Sequence, residues 1–175
     1  MQATLTEAVA CVDHRAMGHA TDLPLRRFTI VEVNDANVPL CLRLAASLAT
    51  KIAADLGATV LKVEPPGGDP VRRAPPFLPQ GESALFQFVN TSKRSVIVDL
   101  ARSEGRASLA GLLERADVVV FEEPASVASL LRGGHATPVE IAAFPIEMQA
   151  QARPVSELAL QALGGLMHMV GEPER

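Results

Sequence analysis

A β-strand, a helix and a second β-strand follow one another in the first third of the chain, and this unit constrains the fold most. Phe28–Val33 is rich in β-branched residues, which is typical of a strand. Val38–Leu56 has helical spacing, and Gly57 follows where a helix end favours positive φ. One face of this helix is rich in small residues and consists of Leu42, Ala45, Ala49 and Ile52. Thr59–Val63 is a second strand. Such a unit is nearly always a right-handed crossover between parallel strands.

The same alternation continues towards the C-terminus. Further strands are predicted at Ser95–Asp99, Val118–Phe121 and Ile141–Ile146. Further helices are predicted at Ser83–Phe88, Ser103–Arg115 (with Ser103 as N-cap), Ser126–Arg132 and Val155–Met169. The alternation predicts an α/β fold, a Rossmann-like parallel sheet with helices on both faces. Residues 1–26 show no steady period and are predicted to be a leader of weak order, followed by one domain over residues 27–175.

The composition excludes several classes of function. The net charge is −4 and no basic face is visible, which argues against a nucleic-acid partner. Lys51 and Asp55 interrupt the apolar stretches too soon for a membrane span. The two cysteines, Cys11 and Cys41, are far apart, and no histidine has metal-ligand spacing, so we expect no disulfide, no metal and a cytoplasmic location.

Four ordered segments carry a family resemblance. The longest reads Ala-Ala-Asp-Leu-Gly-Ala-Thr-Val-Leu-Lys-Val-Glu-Pro-Pro-Gly-Gly-Asp-Pro-Val-Arg over Ala53–Arg72. The others are Asn90–Ser95, Glu104–Arg106 with Ala116–Val120, and Leu160–Met167 with Gly171–Pro173. Together they resemble the N-terminal, large-domain portion of the family III CoA-transferases, which include formyl-CoA and carnitine CoA-transferases.

This resemblance implies an enzyme that moves CoA between carboxylic acids, with coenzyme A or an acyl-CoA and a carboxylic acid as its small-molecule partners. In the family, an aspartate attacks the acyl-CoA to form a mixed anhydride. A smaller domain completes the fold, and two chains interlock, so a homo-oligomer or a partner subunit is expected. The nucleophile lies downstream of the segment matched by Gly171–Pro173, so no residue here is assigned as catalytic, and the small domain is expected to be absent.

Seven residues are candidates for CoA binding. They are Lys62, Gly67, Gly68, Arg72, Lys93, Arg94 and Val98. Lys62 ends a strand at the ligand edge, where the alternative is a surface ion pair. Gly67 and Gly68 resemble a phosphate cradle. The cations, with Arg73 beside them, suit the phosphates of CoA, or alternatively form salt bridges in a solvated turn. Val98 aligns with a position that packs on adenine, and its alternative is a core residue.

Two segments depart from the family pattern. Phe121–Ser126 replaces a Glu-Asn-Phe-Arg-Pro-Gly loop near the nucleotide, and Glu122 and Glu123 are expected to repel phosphates. Arg43–Ser47 stands where a small or amide residue and Ala-Gly-Pro are usual in the first turn. Glu157 is interpreted as a helix N-terminal charge rather than a catalytic group. These departures favour the alternative of a non-catalytic CoA-transferase-like subunit or pseudoenzyme that serves binding or assembly.

Overall fold

Five parallel strands form a single sheet in the order β3-β2-β1-β4-β5. The computed structural model describes residues 23–34, 38–122, 127, 130–131, 134–144 and 156–164. The strands are β1 (Thr29–Val33), β2 (Thr59–Glu64), β3 (Arg94–Ile97), β4 (Val118–Glu122) and β5 (Thr137–Ile141). The helices are α1 (Leu40–Asp55), α2 (Ala84–Asn90), α3 (Ser103–Leu113) and α4 (Glu157–Leu163), with a 3₁₀ turn at Pro70–Arg73. The predicted α/β class is confirmed.

Side chains of alternating direction along β1 place helices on both faces of the sheet. Ile30 packs in a cluster with Ala46 and Ala54 of α1. Val31 and Val33 pack in a second cluster with Leu109 and Leu113 of α3. Because the central strands are covered on both sides, any charged side chain within them is buried and must find partners inside the protein.

The positive φ predicted for the glycine that follows α1 is confirmed. Gly57 has φ +101°, and a Cβ there would lie 2.6 Å from Leu23 Cβ. Leu25, in the turn before β1, donates its N–H to Leu56 O at 3.0 Å. The four described residues of the predicted leader, residues 23–26, therefore lie against the end of α1. The weak order predicted for residues 1–26 is otherwise outside the described residues.

Two local predictions were wrong. The fifth strand is Thr137–Ile141 and not Ile141–Ile146, and it pairs with β4 from Val118↔Thr137 onwards. Pro138 is the reason that the prediction missed this strand, since proline is rare within strands but is tolerated in an edge strand such as β5. The N-cap of α3 is Arg102 and not Ser103, whose hydroxyl instead bonds the carboxylate of Glu104 at 3.2 Å.

Other boundaries shift by a few residues. The third strand begins at Arg94 and ends at Ile97, and the last predicted helix is present as α4. Of the seven residues in the helix predicted at Ser126–Arg132, four lie outside the described residues, as do three residues of the turn after β1. No helix in the described part of the chain is long and apolar enough to cross a membrane.

Candidate ligand-binding site

The strand order identifies a crevice at the carboxyl edge of the sheet. From β1 the chain proceeds to β2 and β3 on one side, whereas β4 and β5 lie on the other. Open α/β sheets bind ligands outside the carboxyl ends of the strands at such a switch point. Asn34 directly follows β1, Glu122 ends β4, and Asn34 Nδ2 donates to Glu122 Oε1 at 2.8 Å. This hydrogen bond spans the crevice.

Beneath the crevice, the carboxylate of Glu32 is the centre of a buried charged network. Glu32 Oε1 accepts from Lys62 Nζ at 2.6 Å and from Ser47 Oγ at 2.8 Å. Glu32 Oε2 accepts from Lys93 Nζ at 2.8 Å and from Thr50 Oγ1 at 2.6 Å. Both oxygens thus have two donors, and the carboxylate joins β1 to α1, to β2 and to the segment before β3.

Lys62 extends the network towards the crevice and the loop after β2. Its Nζ donates to Asn34 Oδ1 at 2.6 Å and pairs with Asp69 Oδ2 at 2.8 Å. Asp69 also caps the 3₁₀ turn, because its Oδ1 accepts from Val71 N–H at 2.9 Å. Lys62 therefore fixes the position of the loop containing the Gly67–Gly68 pair.

The pKa values of these groups follow from burial and charge. Burial alone would raise the pKa of Glu32, but Lys62 and Lys93 hold it far below its usual range. Burial would lower the pKa of Lys62, yet Glu32 and Asp69 raise it above its ordinary value. Burial lowers the pKa of Lys93 to about 8, because Glu32 offsets only part of the lost hydration. Glu32 and Lys62 are therefore an ion pair at neutral pH.

A second ion pair orients the loop after β2. Arg72 donates from Nε and Nη2 to the two oxygens of buried Glu64, at 2.8 and 2.7 Å. Asp69 N–H also donates to Glu64 Oε2, at 2.9 Å. The guanidinium carbon of Arg72 lies 3.9 Å from the ring centroid of Phe86. Burial would raise the pKa of Glu64, but these hydrogen bonds and that of Ser95 lower it, so the fork stays charged.

The structure brings three of the seven predicted CoA residues together. Lys62 and Lys93, 1% and 3% exposed, share Glu32, so the surface alternative for Lys62 is wrong. Arg72 joins them through Glu64 and Asp69, which agrees with its salt-bridge alternative. CoA contact by these residues stays a prediction.

The other predicted residues lie around this network. Gly67 is exposed and accepts a hydrogen bond from Arg73 Nη1 at 3.0 Å, while Gly68 N–H donates to Pro65 O at 2.8 Å. Arg94 is exposed at the start of β3, in register with Leu61. Val98 packs in the core cluster beneath α3, which supports the packing alternative.

Of the two segments that depart from the family pattern, the one containing Glu122 is placed differently from expectation. Glu122 was expected in an open loop, but it is the last residue of β4 and is 1% exposed. Burial raises its pKa to about 7, although Arg43 and the hydrogen bond from Asn34 oppose this. Arg43 lies inside α1, within the helix predicted over Val38–Leu56, with its Nη1 3.6 Å from Asp69 Oδ1. Glu123 lies outside the described residues.

Sequence reasoning missed the centre of this site. Glu32 and Lys62 alternate with apolar residues in two strands that pair in register, Glu32↔Lys62. Strands predicted to be buried on both faces cannot leave such side chains in water, and this was the available signal. Asn34, Ser47 and Thr50 carried no signal of their own. Among the described residues, no three His, Cys, Asp or Glu side chains are grouped to hold a metal ion.

The raised pKa of Glu122 gives a prediction for stability. Between pH 4.5 and about 7 the folded protein binds a proton at Glu122 that the unfolded chain does not. The free energy of unfolding therefore falls as pH rises through this range, and the full loss is present above pH 7. We expect Glu122→Gln to be neutral near pH 4.5 and stabilising by about 2 kcal/mol at pH 8. Urea unfolding at both pH values measures this, with exposed Glu114→Gln as control. An equal effect at both pH values would contradict it.

Comparisons with known proteins show the family of this chain. The model of CoA-transferase family III matches residues 38–175. Succinyl-CoA:mesaconate CoA-transferase of Haloarcula hispanica is 38% identical over 148 residues, covering 75% of this chain and 37% of that protein. Succinate–glutarate CoA-transferase of Agrobacterium fabrum is 36% identical over 107 residues, covering 57% of this chain and 26% of that protein.

A solved structure has the same fold. The crystal structure of a CAIB/BAIF family protein from Brucella suis superposes with a TM-score of 0.72 at 30% sequence identity. That match covers 87% of this chain and 42% of the other. The chain thus spans well under half the length of the relatives it matches.

Proposed function

Because this chain belongs to CoA-transferase family III, we propose that it is the CoA-binding, large-domain portion of such an enzyme. Coenzyme A or an acyl-CoA would lie at the carboxyl edge of the sheet. The observation that carries the proposal is the crevice at the β1–β4 switch point, spanned by Asn34 and Glu122 above the buried ionic network centred on Glu32. A network of this kind fixes the strand ends before any ligand arrives.

The residues around the crevice would have different roles in this binding. Lys62 and Lys93 hold the strand ends and the loop, because their ammonium groups are already bonded inside the protein. Gly68 has no side chain and would let a phosphate approach closely. Its N–H would not bind the phosphate, because it already donates to Pro65 O. Arg73, exposed in the loop after β2, would meet the phosphates directly, whereas Arg94 lies at the amino end of β3 and away from this edge.

The transfer reaction itself is a further part of the proposal. By the family resemblance, CoA would move between carboxylic acids through an anhydride on an aspartate, and we assign no residue of this chain to that role. The residue would come from a downstream segment or from a partner subunit. The cytoplasmic location remains a prediction.

Assembly with another subunit is supported by an apolar surface on the outer face of α1 and α2. Leu48, Ile52 and Phe88 are 42%, 54% and 60% exposed. Contiguous exposed apolar side chains of this size mark interaction sites on soluble proteins. A homo-oligomer or a partner subunit would cover them.

A non-catalytic subunit or pseudoenzyme is the second candidate. The observation that favours it is Glu122, an acid where the family resemblance has a loop that approaches the nucleotide. Such a subunit would still bind CoA, so it differs from the first candidate in activity and not in the site. A CoA-transferase assay of the protein, alone and with added partner, would separate the two.

Calorimetric titration with CoA tests the binding proposal. We expect binding that weakens with added salt, because phosphate pairing with exposed cations is screened. Arg73→Ala should weaken it by about threefold to tenfold, whereas Arg115→Ala, exposed just after α3, should not. No heat at millimolar CoA would reject CoA binding by this chain. Unchanged affinity in Arg73→Ala would reject the role of Arg73 alone.

A further inference from the structure

One of the two carboxylate oxygens of Glu122 has no hydrogen-bond partner in the described part of the protein. Asn34 Nδ2 donates to Oε1, whereas Oε2 is buried and has no hydrogen-bond partner among the described residues. Buried polar atoms are nearly always hydrogen-bonded, so each exception calls for an explanation. This one is at the β1–β4 switch point, where the fold binds its ligand.

The charges facing Glu122 come from three elements. Arg43 of α1 and Lys62 of β2 favour the ionised carboxylate, and Glu32 of β1 opposes it. Asn34 supports the ionised form through its hydrogen bond. Both cations are also committed to acids, Lys62 to Glu32 and Asp69, and Arg43 to Asp69 at 3.6 Å. The loss of hydration therefore outweighs them, and Glu122 titrates near neutral pH.

We propose that Glu122 is a proton-gated contact for the anionic ligand of the β1–β4 crevice. The neutral carboxyl donates from Oε2 to a ligand oxygen, and the ionised carboxylate opposes binding. This rests on the proposed function, since CoA supplies the anion, and it assigns Glu122 a role as a specificity residue for phosphate-bearing ligands.

The chemistry of the carboxyl group supports both halves of the proposal. A protonated carboxyl has one O–H donor, and Asn34 already occupies Oε1, so Oε2 is the oxygen that can carry the proton. An ionised carboxylate has no donor and repels a phosphate more strongly in a desolvated crevice than in water. The proton comes from solvent, so binding above neutral pH takes up to one proton. Enzymes elsewhere keep a buried acid neutral at pH 7 in order to donate such a bond.

Calorimetric titration with CoA at pH 6 and pH 8 tests the proposal. With a pKa of about 7, most Glu122 side chains are neutral at pH 6 and about one in ten at pH 8. We expect affinity to be about tenfold weaker at pH 8 in the wild type and in the exposed control Glu114→Gln. In Glu122→Gln, whose amide is an uncharged donor, this tenfold loss should be absent, and only the change in affinity shared by all three proteins should remain. Ionisation of the CoA phosphates and of Lys93, whose pKa is about 8, is common to all three proteins and cancels in the comparison between them.

A second measurement needs no variant. Titrations of the wild type at pH 8 in two buffers of different ionisation enthalpy count the protons taken up, and about one per CoA is expected. Binding with no uptake, or the same pH dependence in Glu122→Gln as in the wild type, overturns the role of Glu122 and leaves the proposed function standing. No binding of CoA at either pH overturns the proposed function and this inference with it.

Discussion

Replacing Glu32 with Gln is expected to destabilise the protein by about 3–5 kcal/mol. The carboxylate of Glu32 is 0% exposed and accepts from four donors, two of which are the ammonium groups of Lys62 and Lys93. Gln keeps the shape but carries no charge, so both lysines lose their shared counterion. Lys62 retains Asp69, whereas Lys93 is left with neutral partners, Asn90 and the carbonyl of Ser47.

Denaturant unfolding at pH 7 measures this effect. Glu114→Gln is the matched control, because it makes the same chemical change at an exposed helix end and should alter stability by about 0.5 kcal/mol or less. The unfolding midpoint of Glu32→Gln should fall far below that of both the wild type and the control. A loss of under 1 kcal/mol would mean that the network contributes little to the fold.

Gly105→Ala is expected to cost about 3 kcal/mol. Gly105 is in the first turn of α3, and a Cβ there would lie 1.9 Å from Asp99 O and 2.6 Å from Asp99 C. Both are backbone atoms of the connection between β3 and α3, so no side chain can move aside. Either α3 or that connection must shift, and the connection lies at the same carboxyl edge as the crevice.

The same helix provides the control for this substitution. A Cβ at Gly111 meets nothing within 4 Å, so Gly111→Ala should stabilise α3 by about 0.5–1 kcal/mol through helix propensity. Equilibrium unfolding of the two variants should therefore give changes of opposite sign. If Gly105→Ala is as stable as Gly111→Ala, the close approach of α3 to Asp99 is not a constraint on the fold.

The sequence predicted the fold class because the strand–helix alternation is local. Gly57 confirmed its predicted positive φ. The predicted face of α1 was wrong, because Ala45, Ala49 and Ile52 are exposed, whereas Ala46 and Ala54 pack against the sheet. The strand at Thr137–Ile141 was missed because its pairing with β4 depends on tertiary contact and not on the propensity of Pro138. Local pattern carries little information about such an edge strand.

The site was predicted only in part. The segment that matches the family indicated Lys62, Gly67, Gly68 and Arg72 as site residues. The prediction for each was a ligand contact or a surface charge, and not a buried ion pair. Period-two alternation already placed Glu32 within a buried strand, so it had to find a partner. That the partner is a chain of ion pairs through Lys62, Asp69 and Lys93 depends on register and on the path of the loop after β2. Neither of these is readable from one segment alone.

Several charged side chains are buried in and beside strands that are otherwise apolar, and they form one network. Replacing ion pairs with apolar side chains is often neutral for stability, so burial of charge is not explained by stability alone. Here the pairs join the ends of two strands, one helix and the loop after β2 at a single edge. We infer that they hold this edge in a fixed arrangement for ligand binding.

A titration of the ¹⁵N-labelled protein with CoA, followed by amide NMR, is the most direct test that this edge binds CoA. We expect the amides of Asn34, Gly67, Gly68 and Glu122 to shift in a saturable way. The amides of Thr59, Asp117 and Thr137, at the amino ends of the strands, should stay unchanged. Shifts confined to that opposite edge, or no shifts at millimolar CoA, would contradict CoA binding at the β1–β4 crevice.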